Sequence, residues 1–222
     1  MTALRALLHE IGDRISRIEH STPLTIGIDG VDASGKTIFA DQLAEILDHA
    51  GREVIRSTTD NFHNPRSHRY RQGEESPEGF YEDSFNYESM RRFVLDPLRR
   101  NGSRRCVLSA YDHVSDSEIL APELTVSNKA ILVFDGIFLM RSELRQYWDF
   151  SIFLRVSFAE STRRTLARDF VSTSAIANSK EFMRRHNARY VAGQRIYFDR
   201  VDPESLVDLV VDNEDPMNPS IA

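Results

Sequence analysis

A chain of 222 residues with 28 Lys and Arg against 34 Asp and Glu carries a formal charge of −6, which argues against a general nucleic-acid binder, since phosphate-backbone contacts depend on a positive surface. Its 41% hydrophobic and 28% charged content is that of an ordinary soluble globular chain, and no apolar run approaches the roughly 20 residues that span a membrane. The acid-bearing start "MTALRALLHEIGDRI" does not read as a secretory signal, and the lone Cys106 allows no internal disulfide, so one domain over residues 1–222 in a reducing cytoplasm is expected.

Leu4, Leu7, Leu8, Ile11, Ile15 and Ile18 recur at three- and four-residue spacing, predicting an amphipathic leading helix within residues 1–20. "PLTIGID" reads as a buried strand. After a glycine turn, Ile38, Phe39, Leu43, Ile46 and Leu47 mark a second helix, with Gly51 as its stop. "REVIRSTTD" reads as a strand ending at Asp60. From residue 61 to 86 periodicity vanishes among Pro65, Gly73, Pro77 and Gly79, which predicts a long loop, although Phe80, Tyr81, Phe85 and Tyr87 count against disorder. A helix is expected across Tyr87 to Arg100, a strand at "RCVLSAYD", and a central strand, apolar on both faces, in "KAILVFDGIFLM". "DFSIFLRVS" and "LVDLVVDN" supply further strands, and "AESTRRTLARDF" a helix, followed by a polar stretch from Ser172 to Lys180 and an arginine-rich helix through Arg189. Strands alternating with helices predict a three-layer α/β/α fold around a mainly parallel sheet.

Gly30, Gly35, Lys36 and Thr37 satisfy G-x-x-x-x-G-K-[ST], with Asp32, Ala33 and Ser34 completing a P-loop between strand and helix. The glycines let successive N–H groups converge on phosphate oxygens, Lys36 offers a cation to the outer phosphates, and the Thr37 hydroxyl can ligate Mg²⁺. The helix adds its positive end to the same anion. Asp135, at the carboxyl end of its strand, reads as the metal-side acid. Asp60 is expected at the same sheet edge, where it can orient or deprotonate an acceptor alcohol, or else cap the turn in "TTDNF". Arg163, Arg164 and Arg168, then Arg184, Arg185 and Arg189, suggest a helical lid over about residues 168–195, with solvated helix faces as the blander alternative. "NKAI" at Asn128 lacks the acid of a guanine-reading N/T-K-x-D motif, which disfavours a switch GTPase.

The order "GIDGVDASGKT", "TTDNFH", "YESM", "SAYDH", "VFDGIFLM", "FLRVSFAESTRRTLARD" and "DLVVDN" resembles the uridine kinase and phosphoribulokinase group of P-loop kinases, from about Leu24 to Asn213. The resemblance implies a P-loop NTPase fold with a lid, ATP as donor and Mg²⁺ as cofactor. By motif, Asp60 takes the place of the base in "DNFH", beside Phe62 and His63; Asp135 matches the family's acid before Gly-Ile. Tyr111 and Asp112 match the Y-D pair of the acceptor pocket, and Arg168 the arginine that opens the lid. Thr37, Asp135 and Asp60 are the implied metal-side groups, and Lys36, Asp60 and Arg168 the implied catalytic ones. "YEDSFNYES" departs from the family's N-F-D-H-P-x-A-F-D, leaving Glu82 or Asp83 as replacements for its sugar-binding acid, and "YDHVSDSE" departs from F-x-x-H-S-R. Arg189 completes the expected acceptor-side set. The expected activity is phosphorylation of a nucleoside-like metabolite; a sugar phosphate or pantothenate-like alcohol, or a lapsed nucleotide-binding regulator, stays open. The expected partners are ATP and a small hydroxyl-bearing metabolite, with no nucleic acid and no membrane.

Overall fold

The computed structural model describes residues 2–169 and 176–222. Its main sheet has six strands: β1 (Leu24–Gly30), β2 (Val54–Thr58), β3 (Ile131–Asp135), β4 (Phe150–Arg155), β5 (Leu209–Asp212) and β6 (Ser220–Ile221). They lie in the order β6-β5-β4-β1-β3-β2, parallel throughout except for β6, which pairs antiparallel with β5. Every residue of β1 and β3 is buried, as expected for strands covered on both faces. Asp135 is in register with both Ile28 and Thr58, so the ends of β1, β2 and β3 form one edge of the sheet.

Helices α1 (Ala3–Ser16) and α2 (Lys36–His49) cover one face. The apolar stripe of α1 buries Leu7, Leu8, Ile11 and Ile15 in a cluster with Phe39, Leu43 and Leu47 of α2 and Ile26, Val133 and Leu154 of the sheet. On the other face a second cluster gathers Phe62, Phe80, Tyr81, Phe85, Met90 and Tyr197 against Leu132 and Phe134. That face is built by α3 (Pro77–Asp83) and by α6 (Ala192–Val201), which α5 (Ile176–His186) reaches through a π turn, Asn187–Val191. The helix α4 (Phe158–Asp169) follows β4. The layers and the mainly parallel sheet agree with the expectation from alternating strands and helices.

Several segments differ: β2 ends at Thr58 and not at Asp60, and α5 begins at Ile176, inside the polar stretch expected to run to Lys180. α1 stops at Ser16, short of residue 20. The stretch 61–86 is no bare loop: it holds a 3-10 turn at Thr59–Phe62, a short helix at Arg66–Arg69, and α3, whose start is capped by the Ser76 hydroxyl on the Gly79 N–H with Pro77 in the first turn. Aromatic burial supplies the stabilisation that local periodicity does not show. The helix from Tyr87 contains a π turn, Arg91–Leu95, and ends at Leu98, where Arg99 turns extended. "RCVLSAYD" stays outside the main sheet; Arg105–Cys106 and Tyr111–Asp112 pair instead in two short antiparallel ribbons. Cys106 is buried there, and burial pushes its thiol up to about 11, which suits a packing role and not a nucleophile.

Candidate functional site

The loop after β1 wraps the N-terminus of α2. Gly35 adopts φ 94° at the residue before the helix, a conformation in which a side chain is strained. A Cβ at Gly30 would fall 2.8 Å from the Leu154 carbonyl. The loop is also held from outside. Asn213 Nδ2 donates to the Ser34 carbonyl at 2.7 Å, Gln194 Oε1 accepts from the Asp32 N–H at 2.7 Å, and Ser161 Oγ donates to the Asp32 carbonyl at 2.7 Å. Beneath it, the buried Asp29 carboxylate accepts from the N–H groups of Gly30 and Leu139 and from the Tyr197 hydroxyl at 2.5 Å. Burial, only partly offset by these bonds, pushes its carboxyl up to about 6. Lys36 Nζ rests on the Val31 carbonyl at 2.7 Å, so its cation already lies over the loop.

Thr37 Oγ1 donates to Asp135 Oδ2, and Arg56 Nη2 donates to Asp135 Oδ1, each at 2.8 Å. Arg56 also pairs with Asp41 and donates to the Val133 carbonyl. A hydroxyl and a carboxylate, both hard oxygen donors, thus meet at the mouth of the loop. Among the described residues no group of three or more His, Cys, Asp or Glu stands together. The donor set fits a cation such as Mg²⁺ that takes one or two protein oxygens and completes its shell with phosphate and water.

A cleft of about 620 Å³ runs from this loop past the Thr59–Phe62 turn to the helices of the second core. It brings together Asp32, Ala33, Gly35, Lys36, Thr37, Asp60, His63, Asp135, Arg168 and Arg189 from the residues singled out in the sequence. Asp60 is exposed on the 3-10 turn, with its carbonyl bonded to His63 Nδ1 at 3.0 Å. The His63 ring packs between Phe85 and His113, at centroid distances of 4.7 and 4.6 Å. Burial holds its imidazole below the ordinary value, against the opposing pull of Asp60.

Five expected acceptor residues are placed elsewhere. Phe62 is fully buried in the core. Glu82 pairs with Arg141 and Arg200, and Asp83 with Arg71 and Gln72, the latter pair supported by His68 at 3.7 Å. Tyr111 donates to Asp116, and Asp112 caps the Val114–Ser115 turn. None of the five lines the cleft; Ser84 and Phe85, directly after Asp83, line it instead. Arg189 faces the cleft, but its guanidinium donates to the carbonyls of Arg69, Gly73 and Ser76, which makes it a clamp on the aromatic stretch.

Of the lid arginines, Arg164 pairs with Glu160 and donates to the carbonyls of Asn213 and Glu214, while Arg184 and Arg185 pair with Glu181 and Glu75. Arg184 and Arg185 are thus held in surface ion pairs, whereas Arg164 also lines the cleft, with Nη1 3.5 Å from the Ser34 carbonyl of the loop. Arg168 lines the cleft, and its charge bears on Asp32. The start of the expected polar lid stretch, Ser172 to Ala175, lies outside the described residues. Sequence reasoning did not single out Asp29, Arg56, Gln194 or Asn213. Arg56, Gln194 and Asn213 act from distant segments, while Asp29, the last residue of β1 before Gly30, had a local signal in the "D-G" step.

The chain matches the Phosphoribulokinase / Uridine kinase family over residues 25–203 and belongs to that family. It is 26% identical over 197 residues to a pantothenate kinase of Leifsonia xyli subsp. xyli, covering 81% of this chain and 58% of that one. It is also 24% identical over 158 residues to a uridine kinase of Saccharomyces cerevisiae, covering 68% and 30%. The chain thus spans little more than half the length of the first of these relatives. Among solved structures, one named as a possible uridine kinase from Bacillus stearothermophilus superposes with a TM-score of 0.74 at 23% identity, covering 93% of this chain and 98% of that one. A D-glycerate 3-kinase from Cryptococcus neoformans gives a TM-score of 0.55 at 14% identity, covering 86% and 88%. These two likenesses concern the fold, a P-loop NTPase architecture. Among the described residues no helix is long and apolar enough to cross a membrane.

Proposed function

We propose that the protein is an ATP- and Mg²⁺-dependent kinase that transfers the γ-phosphate to a hydroxyl of a small, nucleoside-like metabolite. The observation that carries this reading is one cleft holding the phosphate loop, the Thr37–Asp135 pair and Asp60. The N–H groups of the loop and the start of α2 bind the polyphosphate, and Lys36 follows its outer oxygens. Mg²⁺, when bound, would neutralise charge on the β- and γ-oxygens, held by Thr37 and Asp135. Asp60 orients the acceptor hydroxyl and takes its proton, and Arg168 adds a cation on the lid side. The rings of His63, Phe85 and His113, tilted against one another beside Asp60, line the cleft with aromatic surface, which supports a ring-bearing acceptor.

A pantothenate-like alcohol is the second reading. The pairing of Glu82 with Arg141 and of Asp83 with Arg71 supports an acceptor that does not call on those acids, and 81% of this chain aligns with a relative named pantothenate kinase. ADP release from ATP and Mg²⁺, measured with nucleosides, sugar phosphates and pantothenate in turn, separates the readings. Release that depends on one acceptor supports the kinase and names its class. ATP binding without acceptor-dependent release in any arm would replace it with a lapsed nucleotide-binding protein.

A further inference from the structure

His186, the last residue of α5, is only 3% exposed and lines the cleft, yet among the described residues neither ring nitrogen has a hydrogen-bond partner. Two buried, unsatisfied ring nitrogens are costly. A ring placed so points to a group that enters the cleft and satisfies it. Tyr190, with centroids 5.6 Å away, and Phe182, at 5.8 Å, hold the ring in place.

The neighbouring charge is Asp32, whose Oδ2 lies 3.8 Å from Nε2. That is longer than a full hydrogen bond. Asp32 belongs to the phosphate loop, where a bare carboxylate repels a polyphosphate. Its Oδ1 takes the Ala33 N–H at 3.0 Å, while Gln194 and Ser161 fix its backbone. Burial raises its carboxyl, but His186, Lys36 and Arg168 together outweigh that and hold it below the ordinary value.

We propose that His186 contacts the γ-phosphate from the end of α5, donating a ring N–H to a γ-phosphate oxygen. This rests on the kinase reading above. The anion supplies the partner that the buried ring lacks. A diphosphate has no oxygen in that position.

Calorimetry with Mg²⁺ and either ADP or the β,γ-imido analogue of ATP tests this on the parent, His186→Ala and His186→Gln. His186→Ala should lose about tenfold of the preference for the triphosphate analogue, as expected for one charge-assisted hydrogen bond. Its ADP affinity should stay within about twofold of the parent, which also shows that it folds. His186→Gln, which keeps an N–H donor, should recover part of the preference. An unchanged analogue-to-ADP ratio in His186→Ala, or a loss equal for both nucleotides, overturns the inference. A parent that binds neither nucleotide overturns the kinase reading, and this inference with it.

Discussion

Thr37 Oγ1 donates to Asp135 Oδ2 at 2.8 Å across 98 residues of sequence, tying the first turn of α2 to the end of β3. The second carboxylate oxygen takes Arg56 at 2.8 Å. Asp135, with 2% of its side chain exposed, is therefore fixed in orientation by one hydroxyl and one guanidinium.

Arg56→Ala leaves that buried carboxylate without its cation and should lower stability by about 3 kcal/mol, read as the free energy of urea unfolding. A variant as stable as the parent would show that Asp135 is compensated by something other than Arg56.

Lys36→Ala removes the only side-chain cation that rises from within the phosphate loop. It should weaken nucleotide binding and reduce turnover on the order of a hundredfold. Unchanged affinity and rate would remove the cradle reading.

Asp60→Ala removes the proposed base and leaves the phosphate loop, Thr37 and Asp135 in place. Nucleotide affinity should hold while the transfer rate falls on the order of a hundred- to ten-thousandfold, measured in single turnover. Equal rates in variant and parent would end the assignment of Asp60 as base.

Asp29 sets a pH dependence of stability. Its folded pKa of about 6 lies above the ordinary 3.8, so the folded state binds the proton more tightly. The stabilisation is complete below about pH 4 and is lost as pH rises through about 6, a change of about 3 kcal/mol. Asp29→Asn cannot titrate, so it should gain roughly that amount relative to the parent between about pH 4 and pH 7. Urea unfolding at both values checks this, and a difference independent of pH contradicts it.

Arg189→Lys tests the clamp. One ammonium cannot reach the three carbonyls of Arg69, Gly73 and Ser76 that the guanidinium joins, and a loss of about 2 kcal/mol is expected. Limited proteolysis should cut sooner within residues 69–76. Cleavage at the parent's rate would mean that aromatic burial alone holds this stretch.

Backbone periodicity is a local property, which is why α1, β1, β3 and the phosphate loop are legible in the chain. Leu7, Leu8, Ile11 and Ile15 mark one helix face by spacing alone, and Gly35 is required by a backbone angle of its own turn. The stretch 61–86 is less legible, because α3 is held by Phe80 and Tyr81 in a core that includes Leu132 and Phe134. Its own short period cannot reveal partners so far along the chain.

The amino-acid sequence by itself determined the parallel sheet, the cradle and the candidacy of Lys36, Thr37, Asp60 and Asp135, since each follows from residue type at a strand end or helix start. Only the tertiary structure decided which polar side chains face the cleft. Glu82 and Asp83 have the chemistry of acceptor ligands, but Arg141, Arg200 and Arg71 draw them away. His186 and Asp32, 154 positions apart, are brought to 3.8 Å. The physical reason is that side-chain direction depends on ion-pair and packing partners from distant segments, and those partners become neighbours only when the sheet brings its strand ends together.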